Sequence, residues 1–295
     1  MSIVLIVGPT ASGKSALAMR VALSYGGEIV SADSRQVYRG MDIGTAKPTA
    51  AERGRVPHHM IDVADPRERY DAARYQREAR AVLDDLARRG VRAVVVGGTG
   101  LYVRALLEDL DLAALPRDPD VRARLEEDAG REGGPALHRR LAALDPEAAA
   151  SVDARNVRRV IRYLEVATIA GSVSGLWRRG ERIPATKIGL EPPRDLLASR
   201  IERRVREMVE AGVVEETRRL LASGVDPSLP SMSGHGYPHW ARHLRAEIDV
   251  ETAIALTVRD TKAYSKRQMT WFRRDPEIRW CDPTATDPLP LAAPA

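Results

Sequence analysis

The stretch GPTASGKS, Gly8 to Ser15, satisfies the pattern G-x-x-x-x-G-K-[ST] at every position, and no other feature constrains the chain so tightly. Such a loop works only between a strand and a helix. Ile3 to Val7 is an unbroken apolar, β-branched run, as a central parallel strand requires, and Ser15 to Ala22 reads as a helix with Leu17 and Val21 on one face. In that order Gly8, Pro9, Thr10, Ala11, Ser12, Gly13, Lys14 and Ser15 make a cradle for phosphate. Backbone N–H groups and the helix N-terminus offer partial positive charge, Lys14 adds a full charge, and the Ser15 hydroxyl can ligate Mg²⁺. The expected fold is α/β, a P-loop nucleoside-triphosphatase-like parallel sheet core.

The rest of the chain fits that expectation with one interruption. Glu28 to Ala32 reads as a second strand, Asp71 to Arg89 as an amphipathic helix, and Ala93 to Val96 as a buried strand closed by GGTG. From Asp118 to about Gly180 arginine-rich helical texture replaces any run long enough for a buried strand. Strand signal returns at Thr186 to Leu190, a long helix is expected from Arg194 to about Ala222, another from Val250 to Phe272, and a short strand at Ile278 to Cys281. The division expected is residues 1–115 for the first part of the core, 116–183 for a helical insertion and 184–295 for completion of the core, with TATDPLPLAAPA as a frayed tail. A single cysteine, Cys281, excludes an internal disulfide framework and zinc-type cysteine clusters. Met1 leads directly into the first strand and no long apolar span follows, so a cytoplasmic protein without membrane contact is expected.

Polyphosphate serves many chemistries, and the end of the second strand narrows them. Ligands of open α/β sheets sit beyond the carboxyl ends of the strands, so Asp33 is expected in the same crevice as the P-loop, as general base or Mg²⁺ ligand. The segments GPTASGKS at Gly8, DSRQVYRGMDIGTAKP at Asp33, PHHMIDV at Pro57, GGTGLYVRALL at Gly97, DP with RRVIRYLEV between Asp145 and Val166, IGL with RIERRVREMVEAG between Ile188 and Gly212, and AYSKRQMTWFRRD at Ala263 follow in order. Together they resemble the tRNA dimethylallyltransferase family, also called tRNA isopentenyltransferases.

The resemblance implies transfer of a dimethylallyl group from its diphosphate to the exocyclic amine of the adenine just 3′ of a tRNA anticodon, with release of pyrophosphate. It implies dimethylallyl diphosphate and the anticodon stem-loop as partners, Mg²⁺ as cofactor and a monomer. By the same resemblance Asp33 is the general base, Thr10 and Thr99 carry hydroxyls to the site, and Arg204 binds pyrophosphate. The target adenine must leave its stack, and Ser34, Arg35 and Gln36 are the expected readers, Gln36 through a bidentate amide. Arg158, Arg159, Arg162, Lys266 and Arg267 are candidates for the phosphate backbone, and Ser233, Gly234, His235, Gly236 and Tyr237 for a wall of the tRNA site.

The chain departs from the family pattern at SVDARN before RRVIRYLEV and at SMSGHGYPHW, where Pro238 removes a donor. His58, His59, His235, His239 and His243 lack acidic or thiolate company and are not read as metal ligands. Two other classes fit a P-loop: a small-molecule kinase using ATP, with residues 158–182 as its lid, and a nucleic-acid-binding protein that uses nucleotide as a switch. The kinase would release ADP, and the switch would leave RNA unchanged.

Overall fold

The computed structural model of the chain describes residues 3–110, 112, 115–173, 181–234 and 236–294. Along the chain run β1 (Ile3–Val7), α1 (Lys14–Tyr25), β2 (Gly27–Ser31), α2 (Ala50–Arg55), β3 (His58–His59), α3 (Ala72–Arg88), β4 (Arg92–Val96) and α4 (Gly100–Glu108). Four helices follow: α5 (Pro119–Glu132), α6 (Gly134–Leu144), α7 (Pro146–Ala150) and α8 (Val157–Ala170). The chain then continues with β5 (Thr186–Leu190), α9 (Arg194–Glu210), α10 (Val213–Ala222), α11 (Tyr237–Leu244), α12 (Val250–Phe272) and β6 (Arg279–Cys281). Two compact units result, Met1–Leu107 with Pro184–Ala295, and Glu108–Ile183.

In the first unit one sheet runs β3, β2, β4, β1, β5, β6, with every pairing parallel. Every residue of β1 and β4 is buried, which is why both read as continuous apolar runs rather than alternating ones. From β1 the chain passes over β4 to reach β2 and returns later to β5, so the strand order reverses beside β1. That reversal opens a crevice beyond the carboxyl ends of β1 and β4. One face of the sheet is closed by α1, whose Leu17, Ala18, Val21 and Ala22 pack on Val4, Ile6, Ile29 and Val94. The α3 helix is amphipathic, with Tyr75, Ala79, Leu83 and Leu86 buried, and Asp71 caps it by accepting from the Arg74 N–H at 2.9 Å.

Two expectations are corrected. The long helix from Arg194 is broken at Gly212, whose φ of 95° is left-handed, so α10 sets off in a new direction. The C-terminal tail is not frayed: Leu289–Ala292 forms a 3₁₀ turn whose Leu289 and Leu291 pack on the core around α1, with Ala292 buried. Apolar residues within the Pro-rich tail find a groove that composition alone conceals.

The second unit is wholly helical over its described residues. Glu165 on α8 is 1% exposed and organises it, accepting from the Asp118 N–H (3.1 Å), from Arg162 (2.8 Å) and from Arg122. Burial raises the pKa of that carboxyl, but the two guanidiniums and the N–H outweigh it and the net shift is downward. At the other end Asp145 caps α7 through the Ala148 N–H (2.9 Å) and accepts from the Val173 N–H (2.7 Å).

The docked tail generates a test. Deletion of residues 288–295 uncovers apolar surface around α1, a loss of about 2 kcal/mol by buried area. The midpoint of thermal unfolding should fall by about 3 °C for a chain of this size. An unchanged midpoint in calorimetry would show that the tail adds nothing to the fold.

Candidate active site

The crevice is filled by the loop Gly8–Ser15. Ala11 (φ 64°) and Gly13 (φ 97°) both lie in the left-handed region, which turns successive N–H groups inward as an anion nest. The Ser12 hydroxyl is buried in the loop without a hydrogen-bond partner, and the Lys14 ammonium donates to the Pro9 carbonyl at 2.7 Å. A donor held by its own loop's carbonyl is ready to exchange it for a stronger, charged acceptor.

Around the loop one cavity is lined by Thr10, Lys14, Ser15, Asp33, Gln36 and Arg204, together with Gly44–Ala46, the ends of β2 and β4, and a face of α12. Asp33 is fixed by an Asx turn, its Oδ1 accepting from the N–H groups of Arg35 (2.8 Å) and Gln36 (3.4 Å). That leaves Oδ2 available to the cavity. The electrostatics are cationic. Burial, and then the nearby Arg204 guanidinium, push the Lys14 ammonium down to about 8 against an upward pull from Asp33. Burial likewise lowers Arg204, with Glu207 pulling the other way. Two desolvated cations around a cavity lined by the Asp33 carboxylate make a site that a multiply charged anion completes.

Several residues that sequence reasoning missed hold this arrangement. Gln268, 5% exposed, accepts from the Thr10 N–H at 2.8 Å and donates to the Gly98 carbonyl at 3.0 Å, so one amide ties the P-loop to the end of β4. Thr257, Thr261, Tyr264 and Gln268 all line the cavity and recur along α12 at helical spacing. Tyr264 is pushed up to about 12, chiefly by burial and then by Asp33, and remains a neutral phenol. On α9, Ile201, Val205 and Met208 give the cavity an apolar side. In KRQMTW the buried Gln268 directly follows the exposed Lys266 and Arg267.

Thr261 and Tyr264 also line a second cavity of about 330 Å³, whose other residues include Ser34, Arg35, Ser233, Gly234, Gly236, His239 and Arg267. The candidate tRNA residues of two distant segments thus meet beside Asp33. His235 lies outside the described residues. Arg267 and Lys266 are exposed on α12, the former 5.7 Å from the centre of the Tyr264 ring.

Other side chains have work different from that expected. Both amide hydrogens of Gln36 go to the carbonyls of Thr45 (3.3 Å) and Ala46 (3.2 Å), while its oxygen accepts from Ser31 Oγ (3.0 Å), so it has no free donor for an adenine edge. Arg35 donates to the carbonyls of Pro230 and Ser231 and to Ser233 Oγ, and so anchors the loop it was expected to read beside. Thr99 Oγ1 accepts from the Ser34 N–H at 3.0 Å. Tyr237 is fully buried and donates to Glu216 at 2.8 Å, so it does not face a nucleic acid. Pro238 sits in the first turn of α11, where a missing N–H costs nothing.

In the second unit Arg162 is committed to Glu165 and to the carbonyls of Leu115 and Pro116, because a buried carboxylate needs its guanidinium. Arg159 donates to the Tyr163 hydroxyl at 2.7 Å, and Arg158 is exposed. Among the described residues no group of three or more His, Cys, Asp or Glu could hold a metal ion, and no helix is long and apolar enough to cross a membrane.

Residues 36–275 match the profile of the family described as IPP transferase, and residues 1–62 match that of isopentenyl transferases. The tRNA dimethylallyltransferase of Geobacter metallireducens is 46% identical over 285 residues, covering 95% of this chain and 92% of its own. That of Anaeromyxobacter dehalogenans is 47% identical over 296 residues, covering 99% and 98%. Among solved structures, the full-length tRNA isopentenylpyrophosphate transferase of Bacillus halodurans superposes with a TM-score of 0.70 at 41% identity, covering 95% of this chain and 89% of that one. A eukaryotic dimethylallyltransferase acting on tRNA gives a TM-score of 0.79 at 26% identity, covering 97% and 75%.

The depressed Lys14 predicts how anion binding depends on pH. Only the protonated amine attracts an anion, so affinity for inorganic pyrophosphate should fall as pH rises through about 8, by up to about tenfold per unit above it. Lys14→Arg keeps its charge throughout and should remove that limb, whereas Lys14→Ala should bind weakly at every pH. Calorimetric titration from pH 7 to pH 10 measures this, and identical profiles for wild type and Lys14→Arg would mean that Lys14 stays charged.

Proposed function

The chain belongs to the IPP transferase family, and on that premise we infer that it transfers a dimethylallyl group from dimethylallyl diphosphate to the exocyclic amine of the adenine 3′-adjacent to the anticodon in tRNA, releasing pyrophosphate. The observation that carries the reading is the single cavity in which Asp33, the P-loop and Arg204 converge beside a second cavity lined by Ser34, Ser233 and Gly234. The relatives bear the transferase name, and the ATP kinase reading is not favoured.

The P-loop N–H groups, the Ser12 hydroxyl, Lys14 and Arg204 hold the diphosphate. As the carbon–oxygen bond breaks, negative charge accumulates on the leaving pyrophosphate, where these donors already point. The apolar face of α9 takes the dimethylallyl group. Adenine enters from the second cavity, extruded from its stack at a cost of about a few kcal/mol, and its amine meets the allylic carbon near Asp33. Asp33 Oδ2 accepts the amine proton as the new carbon–nitrogen bond forms.

A Mg²⁺ ion fits this donor set. The Ser15 hydroxyl lies on the first turn of α1 at the cavity, and magnesium is commonly held by one or two protein oxygens, substrate phosphates and water. When bound, it would neutralise charge on the diphosphate. A tRNA substrate fits a cytoplasmic protein, and a catalytic cavity assembled from one chain fits action as a monomer.

Asp33→Asn tests the base, because it retains an Oδ1 acceptor for the Arg35 and Gln36 N–H groups while losing basicity. Turnover should drop by about two to four orders of magnitude, with tRNA affinity within about threefold of wild type. Mass spectrometry of tRNA incubated with dimethylallyl diphosphate reads turnover, and normal turnover would remove Asp33 from the mechanism.

Salt dependence separates free cations from structural ones. Log affinity for tRNA should fall steeply with log salt, and Arg158→Ala or Arg267→Ala should each flatten the slope by about one unit or less. Arg162→Ala should leave the slope unchanged and lower the melting temperature, since its guanidinium serves Glu165. Equal slope changes for all three would mean that Arg162 reaches phosphate after all.

A further inference from the structure

Glu216 is a buried carboxylate with no part in the chemistry above. It is 1% exposed, on the first turn of α10 just beyond the break at Gly212. It accepts from three successive backbone N–H groups, those of Asp42 (2.8 Å), Ile43 (2.8 Å) and Gly44 (3.0 Å), and from the Tyr237 hydroxyl (2.8 Å). No cation pairs with it in these contacts. Four donors on one carboxylate satisfy its oxygens in burial, and they make the loop rigid where it meets α10.

The same loop is gripped further along, where Gln36 donates to the carbonyls of Thr45 and Ala46. Gly44, Thr45 and Ala46 form one wall of the inner cavity, which Ile201, Val205 and Met208 also line. The wall cannot move toward Tyr237: a Cβ on Gly44 would lie 2.6 Å from the Tyr237 ring and hydroxyl. Its position is therefore decided by Glu216 and Tyr237 behind it and by Gln36 beside it.

We propose that Glu216 is a positioning residue for prenyl transfer: it fixes the wall at Gly44–Ala46 and thereby restricts the cavity to a dimethylallyl chain, excluding longer isoprenoids. The proposal deepens the reading of this cavity as the prenyl diphosphate site and rests on it. Replacing the carboxylate by an amide turns an NH₂ group against backbone donors, and the resulting repulsion releases the wall.

The test is binding of dimethylallyl diphosphate and geranyl diphosphate to the full chain by calorimetry, for wild type, Glu216→Gln, Glu216→Asp and Tyr237→Phe. Wild type should discriminate against geranyl diphosphate, and Glu216→Gln should weaken dimethylallyl diphosphate about tenfold while narrowing the preference between the two by about the same factor. In the transfer assay its KM for dimethylallyl diphosphate should rise with kcat held within about threefold, and tRNA affinity should not change. Glu216→Asp keeps the charge and should lie between wild type and Glu216→Gln. Tyr237→Phe keeps the ring beneath Gly44, removes one of the four bonds and should shift the preference the same way by a smaller factor, so it carries the test if Glu216→Gln does not fold. An unchanged preference in a folded variant overturns the proposal, as does a parallel loss of both ligands, kcat and tRNA binding that tracks the fall in melting temperature. Because the ligand preference is read by binding, its failure is distinct from failure of wild type to add a dimethylallyl mass to tRNA.

Discussion

Lys14 and Arg204 face one cavity, and each is less basic than the free side chain because burial removes its water. Among the described residues neither has a dedicated ion pair, and Asp33 is the carboxylate that pulls Lys14 upward. Such a site is tolerated only if the surrounding frame holds it together in the absence of an anion. The frame consists of a sheet whose β1 and β4 strands are buried at every residue, a loop tied to α12 by Gln268, and a wall clamped by Glu216. What the fold gives up in leaving two cations under-solvated returns when the diphosphate binds, and more strongly as its charge grows during bond cleavage.

Helix α12 links the two cavities. Thr257 and Gln268 line only the inner one, Arg267 only the outer one, and Thr261 and Tyr264 line both. Gln268 reaches both the P-loop and the end of β4, and a shift of α12 would therefore disturb the anion nest and the crevice edge together. Tyr264 lies between them as a neutral phenol over the whole working range of pH, because its hydroxyl is buried near Asp33. Its donor is thus constant while the groups around it titrate.

The parts of this structure that were legible in the sequence are those with a local signature. The P-loop follows from eight residues, and β1, β5 and α12 fall where apolar runs and helical periodicity put them, Thr186–Leu190 and Val250–Phe272 to the residue. The carboxyl-end rule alone brings Asp33 to the loop. The break at Gly212 was hidden by helix-forming residues on both sides, and the docking of Leu289 and Leu291 depends on a groove far away in sequence. Side-chain partners are hidden for a related reason. Gln36, Arg35 and Tyr237 follow or resemble motif positions that suggest contact with nucleic acid, yet their partners come from Thr45, Pro230 and Glu216, which no local pattern reveals.

Glu165 and Glu216 show why charge counts alone could not apportion the cations. Each is about 1% exposed, and each satisfies its buried carboxylate differently. Glu216 uses backbone N–H groups and a phenol and leaves the arginines of its neighbourhood untouched. Glu165 takes Arg122 and Arg162, so two guanidiniums of the helical unit are held internally. A formal charge of +5 therefore overstates or understates the charge presented to a polyanion depending on which carboxylates recruit cations. In the helical unit the exposed Arg158, one turn from Arg162 on the same helix, keeps its charge on the surface to offer to phosphate.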